Sequence, residues 1–324
     1  MSSPVADTLA APQQQAHPKR ALPAISLIGV PTDIGAGTRG ASMGPEAMRV
    51  AGLPEALARR GHDVRDLGNL SGPVNPWRNP AEGYRHLPEV VAWNRSVLTS
   101  VYAELEARRL PILLGGDHCL AIGSITAVAL YAKSQGKKLR VLWLDAHADF
   151  NTSNLTPSGN VHGMPVACLC GIGPRELTHL GGESPILQPA QIHQIGIRSV
   201  DPGEKQLVKE AGLRIYDMRY IDEVGIKRTL DEALAGLTDD DHLHVSFDID
   251  FLDPSIAPAV GTTVPGGPNY REAQLVMEMI ADTGRMASLD VMELNPALDT
   301  RNVTAELAVD LIESLFGKST LMRD

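Results

Sequence analysis

Apolar residues fall along the chain in short, nearly unbroken runs, separated by longer stretches where they recur every three or four positions. The runs at 24–30, 111–114, 139–144, 191–197, 213–216, 242–247 and 286–291 are apolar or β-branched and read as strands, with a weaker one at 63–67. Between them, 45–60, 87–109, 122–134, 203–210, 220–235, 270–282 and 303–316 carry helical spacing. Continuous rather than alternating hydrophobicity in several strands implies burial on both faces, as in a mostly parallel sheet covered by helices. No internal repeat or linker interrupts the alternation. The pattern predicts one α/β/α domain over residues 23–324, with residues 1–22, rich in Pro, Gln and Ala, as a flexible tail.

Composition removes several functions. The 324 residues are 43% hydrophobic and 21% charged, within the ordinary globular range. Net charge is 29 − 39 = −10, and no run of Lys and Arg stands against it, so nucleic acid is discounted as a partner. No apolar stretch approaches the ~20 residues that cross a bilayer, and the N-terminus lacks the apolar core of a signal peptide. Cys119, Cys168 and Cys170 form no CxxC pair and cannot build a disulfide framework. A cytoplasmic chain is expected.

Parallel sheets bind ligands beyond the C-terminal ends of their strands, so the residues following each run deserve inspection. Four ends are polar: GGDH (115–118), DAHADFN (145–151), DIDFLDP (248–254) and ELNP (293–296). In extended chain, alternate residues share a side, so Asp145, His147 and Asp149 converge, as do Asp248 and Asp250. On neighbouring strands, and with His118, these gather four carboxylates and two imidazoles in one volume. Unrelieved, each buried carboxylate costs several kcal/mol. Two divalent cations would balance the four charges. Oxygen and nitrogen donors without thiolate favour Mn²⁺, with Fe²⁺, Co²⁺, Ni²⁺ or Zn²⁺ as substitutes. A pair of ions ~3.5–4 Å apart would hold a bridging hydroxide as nucleophile. By contrast, Asp253, before Pro254, reads as a turn residue, and His242 and His244 as core histidines within a strand.

Five blocks resemble the ureohydrolase family, and within it the arginases: GGDH (115–118), DAHADFN (145–151), SGNVHGMPVA (158–167), SFDIDFLDP (246–254) and MELNP (292–296). The resemblance spans residues 25–316. It implies a three-layer α/β/α fold around a mostly parallel eight-stranded sheet, which matches the eight strand-like runs. It also implies two Mn²⁺ per subunit and hydrolysis of a guanidinium group, here L-arginine to L-ornithine and urea. By position, one ion would be held by His118, Asp145, Asp149 and Asp248, the other by Asp145, His147, Asp248 and Asp250. Asp149 would also serve catalysis, with His162 as proton shuttle and Glu293 gripping the guanidinium near Thr262. Asn151 and Ser158 match residues that contact a substrate α-carboxylate, with Asn160 beside them. Asp201 and Glu204 match the segment that receives an α-amino group. The family further implies a homotrimer or homohexamer.

Cys119 stands where Ser usually follows the GGDH histidine and reads as a small buried thiol. Ser199 stands where many arginases carry Asp, which removes a carboxylate from the α-amino end. Agmatine, 4-guanidinobutyrate or another guanidino compound is the alternative substrate. A literal GxGxxG at 35–40 suggests a dinucleotide-binding oxidoreductase. Residues 31–34 separate it from its strand, however, and Met43-Gly44-Pro45 restarts the chain before the helix. A turn-rich loop rimming the pocket is the reading preferred.

Overall fold

Every one of the eight runs becomes a strand in the computed structural model, which describes residues 22–321. They are β1 (Ile25–Gly29), β2 (Val64–Asn69), β3 (Leu110–Leu114), β4 (Lys138–Leu144), β5 (Ile192–Ile197), β6 (Arg214–Asp217), β7 (Asp241–Asp248) and β8 (Met286–Met292). All pair in parallel in the order β2-β1-β3-β8-β7-β4-β5-β6. The expected tail at 1–22 lies, but for Leu22, outside the described residues. Among those described, no helix is long and apolar enough to cross a membrane.

Alternation along the strands divides the interior into two cores. On one face, Leu27, Ile112, Val245 and Leu289 meet the helices Tyr270–Asp282 and Val303–Leu315. On the other, Ile28, Leu113, Val141 and Trp143 meet the helices Leu87–Glu106 and Ala121–Ser134. β2 gave the weakest signal because it is an edge strand with most of its residues exposed.

Two expected helices are each divided by a glycine. The stretch 45–60 forms Gly44–Val50 and Leu53–Arg59, parted at Gly52 (φ 84°). The stretch 220–235 belongs to Met218–Val224 and Ile226–Leu234, parted at Gly225 (φ 85°, ψ 148°). Only glycine takes such backbone without strain, so apolar spacing continues across a break it cannot reveal. Short helices at Pro165–Leu169 and Arg175–Thr178 had no periodic signature. The strand order carries the functional consequence: β3, β8, β7 and β4 are consecutive neighbours, so all four polar strand ends meet.

Candidate metal centre and active site

Beyond β3 the chain passes through space that admits no side chain. A Cβ on Gly116 would lie 1.6 Å from the Thr32 carbonyl oxygen, and one on Gly115 2.1 Å from Met292 Sδ. The Asp117 carboxylate then caps a turn, accepting from the Cys119 N–H at 3.1 Å and the Gly35 N–H at 2.9 Å. This delivers His118 to the cluster. Its Nδ1 lies 2.9 Å from Asp248 Oδ2, 3.1 Å from Asp145 Oδ2 and 3.5 Å from Asp149 Oδ2. His147 Nδ1 lies 3.0 Å from Asp250 Oδ2 and 3.5 Å from Asp145 Oδ1.

Two groups suited to a cation result, His118–Asp145–Asp248 and Asp145–His147–Asp250, each with donor atoms within 4.8 Å of one another. They share Asp145. The charges show what the cluster lacks. Burial, then the charge of Asp145, pushes Asp149 well above the usual carboxylate range; burial, then Asp250 and Asp145, does the same to Asp248. Burial pulls His118 down, but hydrogen bonding to Asp145 and the charges of Asp145 and Asp149 outweigh it and push it up to about 9. Burial is likewise overcome at His147, by Asp250 and Asp145, which push it up to about 12. Carboxylates holding protons and imidazolium ions held among them mark a site short of positive charge. The donor set of oxygen and imidazole nitrogen fits a divalent cation.

Neighbouring side chains fix the ligands. The Trp143 ring stacks on His118 with centroids 4.1 Å apart, and its Nε1–H donates to Asp145 Oδ2 at 2.8 Å. Ser246 Oγ lies 2.9 Å from His118 Nε2, which occupies the far nitrogen and leaves Nδ1 to the carboxylates. Thr262 Oγ1 donates to Asp250 Oδ2 at 3.0 Å, so it steadies a carboxylate of the cluster. The Arg198 guanidinium donates to the carbonyls of Gly196, Asp250, Phe251, Leu252 and Val264 at 2.7–3.2 Å, tying together the loops that bear Asp250 and Thr262.

Glu293 and His162 form a separate pair beside the cluster. Glu293 Oε1 accepts from the His118 N–H at 2.8 Å and lies 2.9 Å from His162 Nδ1. Burial opposes both charges, but each partner's charge prevails, raising His162 and lowering Glu293. Glu293 (φ 64°) and Asp149 (φ 50°) both sit in left-handed backbone, a strain that non-glycine residues carry where the surroundings dictate it.

All the expected site residues except Asp145 line one cavity of about 130 Å³, and Asp145 lies buried among the cluster's carboxylates and imidazoles. Asn151 Nδ2 donates to Asp201 Oδ2 at 2.9 Å. Glu204 is a brace: its oxygens accept from the Phe150 N–H at 2.8 Å and the Asp201 N–H at 3.1 Å, closing a capping box. Cys119 is fully buried, its thiol pushed well up by burial and Asp117, which leaves it inert. The GxGxxG loop backs the cavity wall, with Gly37 against Asn160 and the Gly40 N–H donating to Asp33; a single 3-10 turn at Ala41–Met43 separates it from the α-helix that begins at Gly44. Asp253 accepts from the N–H groups of Ser255, Gly266 and Gly267, as a turn residue does. Trp143, Ser246 and Arg198 went unmarked in the sequence. Trp143 and Ser246 each precede a cluster aspartate by two residues, a spacing that could have found them.

The chain matches the model of the Arginase family over residues 23–317 and belongs to that family. Its members are metal-dependent enzymes that act on guanidino compounds. The chain is 47% identical over 299 residues to an arginase of Brucella melitensis, covering 92% of this chain and 97% of the relative. It superposes on the native arginase structure from Bacillus caldovelox with a TM-score of 0.87 and 43% identity, covering 93% and 100% of the two chains. An Entamoeba histolytica arginase solved with L-ornithine matches with a TM-score of 0.84 and 30% identity, covering 92% and 100%.

Proposed function

We propose that this protein is a dimanganese hydrolase that cleaves L-arginine to L-ornithine and urea. The observation that carries it is the pair of His/Asp groups sharing Asp145, set beside the Glu293–His162 pair in one cavity. One ion would be held by His118, Asp145, Asp149 and Asp248, and the second by Asp145, His147, Asp248 and Asp250. When bound, the ions supply a nucleophile from water at neutral pH.

The remaining steps belong to side chains. Glu293 Oε1 already takes two hydrogen bonds, so Oε2 is the atom that meets the guanidinium N–H groups. Asp149 lines the cavity and offers a carboxylate oxygen to orient the attacking water. As the guanidinium carbon gains oxygen and its bond to the chain nitrogen breaks, the departing amine needs a proton. His162, raised above its ordinary value and anchored by Glu293, is the group placed to hand over that proton. At the outer end, Asn151, Ser158 and Asn160 offer donors to the α-carboxylate, and Asp201 receives the α-ammonium. With Ser199 neutral and Glu204 committed to backbone N–H groups, Asp201 carries that role.

The reading includes one catalytic domain over residues 23–324, a cytoplasmic setting and assembly as a homotrimer or homohexamer. Urea release from Mn²⁺-loaded protein, with L-arginine and agmatine assayed side by side, tests it. Preference for L-arginine is expected; preference for agmatine would overturn the outer-end assignments and leave the metal centre standing.

A further inference from the structure

Strand ends build the inner part of the cavity, whereas loops build its mouth. The mouth segment around 151–160 is gripped from outside by the loop 79–86. A Cβ on Gly159 would lie 2.6 Å from the Pro80 Cβ, and one on Gly83 2.4 Å from the Ser153 carbonyl oxygen. Arg85 sits at the centre of this grip. Its backbone N–H donates to the Gly159 carbonyl at 2.7 Å, and its Nε–H donates to Asn160 Oδ1 at 2.7 Å.

Arginine has donors only, so this bond fixes the sense of the Asn160 amide. Oδ1 is taken. Nδ2 has no partner among the described residues, and Asn160 lines the cavity. The mouth therefore offers unpartnered Nδ2–H donors at this position, while Oδ1 is held back toward Arg85. Arg85 also belongs to no ion pair among the described residues, so its positive charge stands uncompensated beside the mouth in a chain of net charge −10.

We propose that Arg85 is a positioning residue that sets substrate specificity: by locking the Asn160 amide with its donors toward the ligand, it commits the mouth to an α-carboxylate. Freed from Arg85, the amide can turn and present Oδ1, which repels a carboxylate. The role of Arg85 rests on the L-arginine reading above, and the experiment separates the two. Wild-type protein without L-arginine hydrolysis fails that reading before any variant is made.

In active protein, Arg85→Met should raise KM for L-arginine about 5-fold, the net worth of roughly one ordinary hydrogen bond. The inhibition constant of L-ornithine, which keeps the α-carboxylate, should rise by the same factor, with kcat and bound Mn²⁺ unchanged. Arg85→Met/Asn160→Ala should bind no more weakly than Asn160→Ala alone, because the first residue acts through the second. Arg85→Lys, which keeps a donor and the charge, should recover part of the loss, and it carries the comparison should Arg85→Met not fold. An unmoved KM, a fall in kcat alone, or additive effects in the double variant would overturn the assignment.

Discussion

The described residues contain two buried clusters of histidine and aspartate, and of the two one suits a cation. The first is the metal centre. The second lies deeper in the sheet, on β7 and β8, and uses the same residue types. There His242 Nε2 lies 3.2 Å and His244 Nδ1 2.9 Å from Ser288 Oγ. His244 Nε2 lies 3.2 Å from Asp290 Oδ2, and Ser124 Oγ donates to Asp290 Oδ1 at 2.5 Å. All five side chains are buried. One carboxylate against two imidazoles and two hydroxyls avoids repulsion between carboxylates. Four carboxylates against two imidazoles do not, and the surplus appears as protons forced onto Asp149 and Asp248. Stoichiometry of charge, rather than the presence of His and Asp, separates a metal site from a polar core.

Breaking each cluster should give opposite signatures. Asp248→Ala removes a carboxylate that the proposed function assigns to the ions; urea release should fall below detection, with lost Mn²⁺ measured by elemental analysis. Full activity in metal-free Asp248→Ala protein would sink the dimanganese reading. Asp290→Ala strands the His244 ring and the Ser124 hydroxyl in the core. It should lower stability by about 3 kcal/mol in denaturant titration while Mn²⁺ content and KM stay put. Loss of metal there would merge the two clusters into one functional unit. His162→Asn sharpens the boundary from the other side: kcat should drop about 100-fold, the scale of general acid catalysis, with both ions retained. A metal-depleted His162→Asn protein would make that residue a ligand instead.

How readily each cluster could be read in advance follows from where its residues stand. The metal centre is built from strand ends, where period-two spacing and parallel topology bring Asp145, His147, Asp248 and Asp250 together. Sequence alone therefore proposed the cluster, and the order β3-β8-β7-β4 supplied the adjacency. The core cluster was visible only as two histidines given a bland reading; its partners Ser288, Asp290 and Ser124 come from another strand and a helix. Arg198 and Arg85 were beyond reach. Their acceptors are carbonyls and an amide oxygen on loops up to 75 residues distant, and only loop conformation decides which guanidinium arrives there. Glu204 carries a bracing role that spacing alone did not reveal. A carboxylate three residues into a helix caps it as readily as it faces a ligand, and here one oxygen accepts from the Asp201 N–H of the cap and the other from the Phe150 N–H.

The smallest effect is also the one that sets the two clusters against each other most directly, through pH. Burial, then the neighbouring His244 and Lys137, pulls His242 down to about 3, so it is neutral in the fold. In the unfolded chain it titrates near 6.5. Between about pH 3 and 6.5 the unfolded state thus binds more protons, and stability must rise with pH. The contribution of His242 is complete above pH 6.5 and is lost on acidification, about 1 kcal/mol by pH 5.5. His118 runs the other way in metal-depleted protein. Held up at about 9, it contributes stability that is complete below pH 6.5 and lost as pH rises through 9. Metal-depleted protein melted at intervals from pH 5 to 7.5 sums both slopes, and the difference between wild type and His242→Gln isolates one. That difference should shrink steadily toward acid, as wild type gives up an advantage the variant never had. A constant difference across the range would mean that His242 binds its proton equally well in the folded and unfolded states, and that burial does not hold it neutral.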